Sequence, residues 1–115
     1  MHIFTPPQPP AAEPSAMEPM RYEWDEAKRV ENLEKHGVDF RAILRFDWQM
    51  SVSGPDRRND YSEERIVAFA PIDGRVHAAI YTTRGDSRRI ISLRKANRRE
   101  QATYAAAILA RLAGG

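Results

Sequence analysis

Residues 88–100 read RRIISLRKANRRE, an apolar segment typical of a core strand with basic residues at both of its ends. The side chains of an ideal strand alternate between its two faces. That rule gives two sets: Arg88, Ile90, Ser92 and Arg94 on one face, and Arg89, Ile91, Leu93 and Lys95 on the other. Because both sets contain apolar residues, the pattern predicts a strand that is buried at its centre and projects charge from its ends.

A predicted helix N-terminus rich in positive charge follows this strand. Asn97 and Glu100 fit a capping box, which opens a helix over about residues 98–112. The basic residues around its start are Arg94, Lys95, Arg98 and Arg99. Cations there oppose the helix dipole, whereas an anion is favoured by the dipole and by the free N–H groups of the first turn. These four basic residues therefore indicate either a phosphate-binding surface or a solvated charged face.

Composition supports a polyanionic partner. Of the 18 Lys and Arg residues, 15 are Arg, whose planar guanidinium matches phosphate bidentately. Between Arg84 and Arg99 there are seven basic residues and one acidic residue, Asp86. The chain has no cysteine, which excludes disulfides and thiolate zinc sites. Its three histidines show no metal-ligand spacing, so we expect no metal and no cofactor.

The first 20 residues contain six prolines and no Lys or Arg. Proline at this density disfavours both helix and sheet, and little apolar surface is available for burial. We predict that residues 1–19 are a disordered tail and that residues 20–115 form one domain. The start of the chain does not resemble a signal peptide, and no apolar run is long enough for a membrane span. We therefore expect a cytoplasmic protein without a membrane partner.

Residues 21–48 are predicted to form a two-helix hairpin. Asp25 is a plausible N-cap for the first helix, and Gly37 ends it. Its inner stripe would comprise Ala27, Val30 and Leu33/Glu34. Asp39 is placed to cap a second helix, whose buried stripe would be Phe40, Ile43 and Leu44.

The middle of the chain changes to the period of a β-sheet. Strand-like segments occupy residues 50–54, 63–70, 75–83 and 88–94, and an Asp-Gly turn at 73–74 separates two of them. This order predicts an α+β fold: two N-terminal helices, an antiparallel sheet of three to four strands, and a C-terminal helix, with the helices on one side of the sheet.

Several side chains are candidates for nucleic-acid chemistry. Lys28, Asn32 and Lys35 lie on one face of the first predicted helix. His36 follows at its end, where it is either an acid or base near neutral pH or a capping residue that binds the last carbonyls. Tyr81 is a candidate for base stacking, although packing in the core is the more common use of an aromatic residue.

Three segments together resemble a known family. They are WDEAKRVENLEKHGVDF (24–40), YTTRGD (81–86) and RRIISLRKANRRE (88–100). In order and spacing they resemble the BrnT family of type II toxin–antitoxin ribonuclease toxins, which have a RelE-like fold. The resemblance covers about residues 20–108. One departure is Asn97, where the family more often has Thr or Ser.

The resemblance implies a metal-independent endoribonuclease that cleaves RNA and inhibits translation. It also implies a ribbon-helix-helix antitoxin, BrnA-like, in a 2:2 complex that binds operator DNA through the antitoxin. The implied reaction is attack of the ribose 2′-OH on the adjacent phosphate. From the residues alone, a non-catalytic module that binds nucleic acid or an acidic protein through the same surface is the alternative.

The resemblance also implies roles for individual residues. Arg94 and Arg89 are expected to stabilise charge on the phosphate, and Lys35 or His36 to act as acid or base. The expected RNA-binding residues are Lys28, Asn32, Ser92, Lys95, Arg98, Arg99 and Tyr81. Because Arg89 and Arg94 lie on opposite faces of an ideal strand, they share one site only if a bulge or an end twist intervenes.

Overall fold

The structure, a computed structural model, describes residues 3–4, 20–57 and 63–114. Its described strands are β1 (Ile3–Phe4), β2 (Arg21–Asp25), β3 (Val52–Pro55), β4 (Ile66–Ile72), β5 (Arg75–Arg84) and β6 (Ser87–Lys95). Its α-helices are α1 (Glu26–His36) and α2 (Arg98–Gly114), and 3-10 helices span Phe40–Arg45 and Trp48–Met50. The strands form one sheet in the order β1-β2-β6-β5-β4-β3, which confirms the α+β class.

The sheet is larger than predicted and is mixed. Strands β3 to β6 pair antiparallel, and the Asp73–Gly74 turn between β4 and β5 has positive φ at both residues (50° and 82°), as a primed hairpin turn requires. However, β2 pairs parallel with β6, and β1 pairs antiparallel with β2. The prediction of three to four antiparallel strands is wrong because β2 is too short to show a period, and its partner lies far along the chain.

The predicted N-terminal two-helix hairpin is also wrong. The first helix is as expected, with the Asp25 carboxylate accepting from the N–H of Ala27 and Gly37 closing the helix at φ 72°. Residues Phe40–Arg45 instead form a 3-10 helix capped by Asp39. Phe40, Ile43 and Phe46 are buried at a spacing of three residues, and three residues per turn place them on one face.

A β-bulge in β6 reverses the predicted alternation of side chains. In the pairing with β5, Ile80 faces Ser92 but Tyr81 faces Ile90, so Ile91 is an extra residue. As a result Ile90 and Leu93, three positions apart, both point into the core. We call the face that carries these two residues the inner face, and the opposite one the outer face.

The inner face carries the main core. The largest fully buried side chains packed there are Trp24, Phe40, Ile43, Ile90 and Leu93. The 3-10 segments cover this face, whereas α2 lies against Val67 and Phe69 on the outer face. The prediction that the helices share one side is therefore wrong, because Tyr104 anchors α2 from the other side by donating its hydroxyl to the carbonyl of Met50 (2.7 Å).

Two residues of the predicted tail are described. Ile3 and Phe4 pair with Asp25 and Trp24, and the rings of Phe4 and Trp24 lie 5.3 Å apart. The other residues of that tail lie outside the described ranges, so its disorder stays a prediction. Within the described ranges, no helix has the length and apolarity needed to cross a membrane.

Candidate functional site

The bulge in β6 brings Arg89, Ser92 and Arg94 to the outer face. Their partners across the ladder are Thr82, Ile80 and Ala78, which alternate regularly along β5 and therefore share one face. The bulge that Arg89 and Arg94 need in order to share one face is therefore present. The two arginines are nevertheless five residues apart on β6 and four apart by their partners on β5, which at about 3.3 Å per residue separates them by about 15 Å along the strand.

The guanidinium of Arg94 is held by the carboxylate of Glu100. Its two terminal nitrogens donate to the two carboxylate oxygens at 2.7 and 2.9 Å. Glu100 also accepts from the N–H of Asn97 (2.9 Å), and the N–H of Glu100 donates to the side chain of Asn97 (2.8 Å). The predicted capping box is thus confirmed, and the same carboxylate fixes the position of Arg94.

His36 lies at the C-terminal end of α1, where the positive charge of Arg94 affects its pKa. Partial burial lowers the pKa of His36 below its ordinary 6.5, and the positive charges of Lys35 and Arg94 lower it further. A lowered pKa leaves the imidazole neutral at pH 7, which suits a proton acceptor. Lys35 is exposed beside it.

Asn32 is buried and bound to the backbone. Its amide nitrogen donates to the carbonyls of Leu93 (2.6 Å) and Val38 (2.9 Å), and its amide oxygen accepts from the N–H of Leu93 (3.2 Å). This side chain replaces the missing strand neighbour of β6 where β2 ends, and Ser92 Oγ lies 3.5 Å from its oxygen. The structure therefore gives Asn32 a role in fixing α1 to β6.

The predicted apolar stripe of α1 does not face the core. Val30 and Leu33 are 43% and 41% exposed, and Asn32 is the buried residue of the helix. The prediction of an Ala27, Val30 and Leu33/Glu34 inner stripe is wrong because α1 packs against an open strand edge. Such an edge exposes N–H and C=O groups that require a polar partner.

A second basic cluster surrounds Arg89, and we call it the Arg89 pocket. Its volume is about 300 Å³. The described residues that line it are Asp25, Lys28, Glu63, Arg65, Arg84, Arg89, Ile90 and Ile91. It brings together two candidates from the sequence, Lys28 and Arg89, with two arginines that the sequence did not single out.

Two other candidates lie away from the outer face. Lys95 pairs with His77 and lines a cavity on the inner side of the sheet, together with Arg41 and Arg45. Tyr81 is buried in the core, where the ring of Trp48 meets its ring edge-on at 5.5 Å. Neither side chain is brought together with Arg94.

The first turn of α2 presents the remaining two candidates. Arg98 and Arg99 are exposed, and Arg99 borders an apolar groove of about 330 Å³ between α2 and the outer face, lined by Val67, Phe69 and Tyr104 among others. Both arginines directly precede Glu100 in sequence, so their charges lie at the same end of α2 as the Arg94–Glu100 pair.

Three contributors were missed or only half assigned from the sequence. Glu100 was identified as a cap but not as the partner of Arg94. Arg65 and Arg84 were not singled out at all. The face on which Arg84 lies could have been predicted from the alternation of side chains, because Arg84 continues the series of Ile80 and Thr82 toward the end of β5. Across the described ranges, no group of His, Asp and Glu side chains is arranged to hold a metal ion.

The sequence also matches a family model. The model describes BrnT, the ribonuclease toxin of a type II toxin–antitoxin system, and matches residues 24–100. The chain belongs to the BrnT family. The match covers well over half of the chain and confirms the resemblance inferred from its motifs. Among curated proteins, none matches the chain significantly.

Membership of the BrnT family makes this chain a ribonuclease toxin, with RNA as its substrate class and an antitoxin as its partner. The matched region ends at Glu100, so it contains the Arg94–Glu100 pair as well as α1 and the Arg89 pocket. Every candidate residue from Lys28 to Arg99 falls inside it.

Proposed function

We propose that this toxin is a metal-independent endoribonuclease that cleaves RNA on the outer face of β6. The observation that carries the proposal is the guanidinium of Arg94, which Glu100 holds at 2.7 and 2.9 Å, with His36 near enough for the charge of Arg94 to lower its pKa. Phosphodiester cleavage by the ribose 2′-OH needs a proton acceptor and fixed positive charge, and these two side chains supply them.

The proposed reaction uses three groups. His36 accepts the proton of the 2′-OH as this oxygen forms a bond to phosphorus. The N–H groups of Arg94 stabilise the charge that develops on the phosphoryl oxygens. The bond from phosphorus to the 5′-oxygen then breaks, and that oxygen takes a proton from Lys35. The products are a 2′,3′-cyclic phosphate and a 5′-OH.

The other candidates are assigned by where their side chains lie. Arg89 is about 15 Å from Arg94 along the strand, too far to meet the same phosphate, so we assign it with Lys28 to a flanking phosphate. Ser92, Arg98 and Arg99 contact RNA nearer the scissile bond. Asn32 acts as a positioning residue that holds α1, and with it His36, against β6.

The proposal extends to the biological partner. We propose that the antitoxin is a ribbon-helix-helix protein, BrnA-like, and that a 2:2 complex binds operator DNA through it. The proposed substrate places the action of the toxin in the cytoplasm, where cleavage inhibits translation. A ribbon-helix-helix reading frame next to this gene, and a mass in light scattering equal to two copies of each chain, would support this arrangement.

Product chemistry tests the proposed reaction. The toxin, freed of antitoxin, is incubated with a labelled single-stranded RNA in EDTA, and the new ends are analysed by mass spectrometry. We expect cyclic phosphate and 5′-OH ends. Products with 5′-phosphate ends would overturn the 2′-OH mechanism, and RNA that is bound but left intact would support the binding-module alternative.

A further inference from the structure

We propose that the Arg89 pocket is a second phosphate-binding subsite, and that it holds a nucleotide of the RNA several positions from the scissile bond. This inference rests on the proposed function, because Arg94 is taken to mark the site of cleavage. It adds Arg65 and Arg84, to which nothing else assigns a role, to the surface that binds RNA.

Charge is the first argument for the subsite. Four cations, Lys28, Arg65, Arg84 and Arg89, line the pocket, and the described lining contains two carboxylates. One of them, Asp25, is used as the N-cap of α1, where it accepts from the N–H of Ala27 at 2.9 Å. With Glu23, which lies 3.6 Å from Arg89, the four cations face three carboxylates, so the pocket keeps an excess of one positive charge. Three of its cations are arginines, whose planar fork fits phosphate oxygens.

The ion pairs of the pocket are of a kind that an RNA phosphate can replace. Arg84 contacts Glu63 at 3.1 and 3.3 Å, and the two side chains are about half exposed, at 49% and 41%. Arg89 lies 3.6 Å from Glu23, which is long for a charge-assisted hydrogen bond. An exposed ion pair contributes little to stability, so exchanging the carboxylate of Glu63 for a phosphate at Arg84 costs little.

Position is the second argument. Arg89 is on the outer face with Arg94, and Arg84 continues the row of outer-face residues on β5. The strand geometry separates the pocket from Arg94 by about 15 Å, a distance that a single nucleotide does not span. A single strand lying along β6 would then contact the pocket and Arg94 at the same time.

The test is a comparison of RNA lengths. Binding is measured for uncleavable 2′-O-methyl oligonucleotides, a dinucleotide and an octanucleotide, with the wild type and with Arg84→Ala. The matched control is Arg45→Ala, which removes an arginine from an exposed ion pair with Asp73 (3.1 Å) that lies outside the pocket. Thermal melts of all three proteins check that the fold is retained.

We expect Arg84→Ala to weaken octanucleotide binding about tenfold, the share of one charge-assisted contact, and to leave dinucleotide binding unchanged. The slope of log K against log salt should fall by about 0.7, the value for one phosphate contact on a single strand. Arg45→Ala should change neither quantity. In cleavage of the matching ribo-octanucleotide, Arg84→Ala should raise KM and leave kcat unchanged.

Equal effects of Arg84→Ala and Arg45→Ala on the octanucleotide would overturn the subsite. So would equal affinity of the wild type for both lengths. If length-dependent binding is lost in Arg84→Ala but no RNA is cleaved by the wild type, the subsite stands and the proposed catalytic function fails. The two proposals are thus separated by one set of measurements.

Discussion

The carboxylate of Glu100 accepts two hydrogen bonds from the guanidinium of Arg94, at 2.7 and 2.9 Å, and it also caps the first turn of α2. The side chains of this pair are 22% and 21% exposed, so they are partly shielded from water. One residue therefore links the end of β6 to the start of the last helix. This link holds Arg94 on the outer face, where we place the scissile phosphate.

Glu100→Gln separates the two roles of this carboxylate. Glutamine also serves at the third position of a capping box, so the helix cap is kept, but the charge that holds Arg94 is lost. We expect kcat for RNA cleavage to fall at least tenfold, KM not to rise, and the melting temperature to change little. Steady-state kinetics and thermal unfolding measure these quantities.

Asn97→Ala is the matched control for that variant. It removes the other half of the capping box, which should lower the free energy of unfolding by about 1 kcal/mol, but leaves the ion pair in place. Its kcat should stay near the wild-type value. If Asn97→Ala loses as much activity as Glu100→Gln, the carboxylate acts through helix stability and not through Arg94.

Cleavage should depend on the protonation of His36. Its lowered pKa means that the imidazole of the free toxin gains a proton only below the ordinary value of 6.5, so kcat/KM should be constant near pH 7 and fall at lower pH. His36→Gln should slow cleavage about 10²- to 10⁴-fold, the usual contribution of a general base, and should remove this acidic limb. A pH profile that is the same in both proteins would exclude His36 as the base.

Asn32 is expected to be the most sensitive position of α1 for stability. Asn32→Ala leaves the N–H and C=O of Leu93 buried without their side-chain partner, which should cost about 2–4 kcal/mol in the free energy of unfolding. Leu33→Ala on the same helix changes an exposed side chain and should cost about 0.5 kcal/mol or less. Urea denaturation compares the two, and similar losses would contradict the positioning role.

Folding stability should decrease at acidic pH because of His77. Burial is the main cause of its lowered pKa, although its hydrogen bond to the carbonyl of Arg75 (2.7 Å) acts in the opposite direction. Because the unfolded chain takes up the proton first, stability is complete above pH 6.5 and falls as the pH drops below that value. His77→Gln should flatten this dependence in denaturation curves recorded between pH 5 and 8. An unchanged slope would assign the effect to another group.

The parts of the fold that follow from local chemistry were predictable from sequence. Asp25 and Gly37 bound α1, Asp73 and Gly74 form the turn between β4 and β5, and Asn97 begins α2. Each of these signals acts within a few residues of its effect. The structure confirms the order of elements that these signals predicted after residue 50, and the start of the last helix.

The errors arose where distant contacts decide. Nothing near β2 indicates that it pairs in parallel with β6. The role of Asn32 depends on an open strand edge that exists only because β2 stops at Asp25. The extra residue Ile91 follows from the register with β5, and that register decides that Arg89 and Arg94 share a face. The arginines themselves were visible in the sequence, but their common surface was not.

Cleavage of single-stranded RNA by the wild type and by Arg94→Ala, side by side in EDTA, tests the central claim most directly. Both proteins must be free of antitoxin and show cooperative thermal unfolding. We expect the wild type to cut the RNA without metal and Arg94→Ala to lose about 10²-fold or more in kcat, as for removal of a donor that stabilises the transition state. Undiminished cleavage by Arg94→Ala, or wild-type activity that disappears in EDTA, would contradict the account.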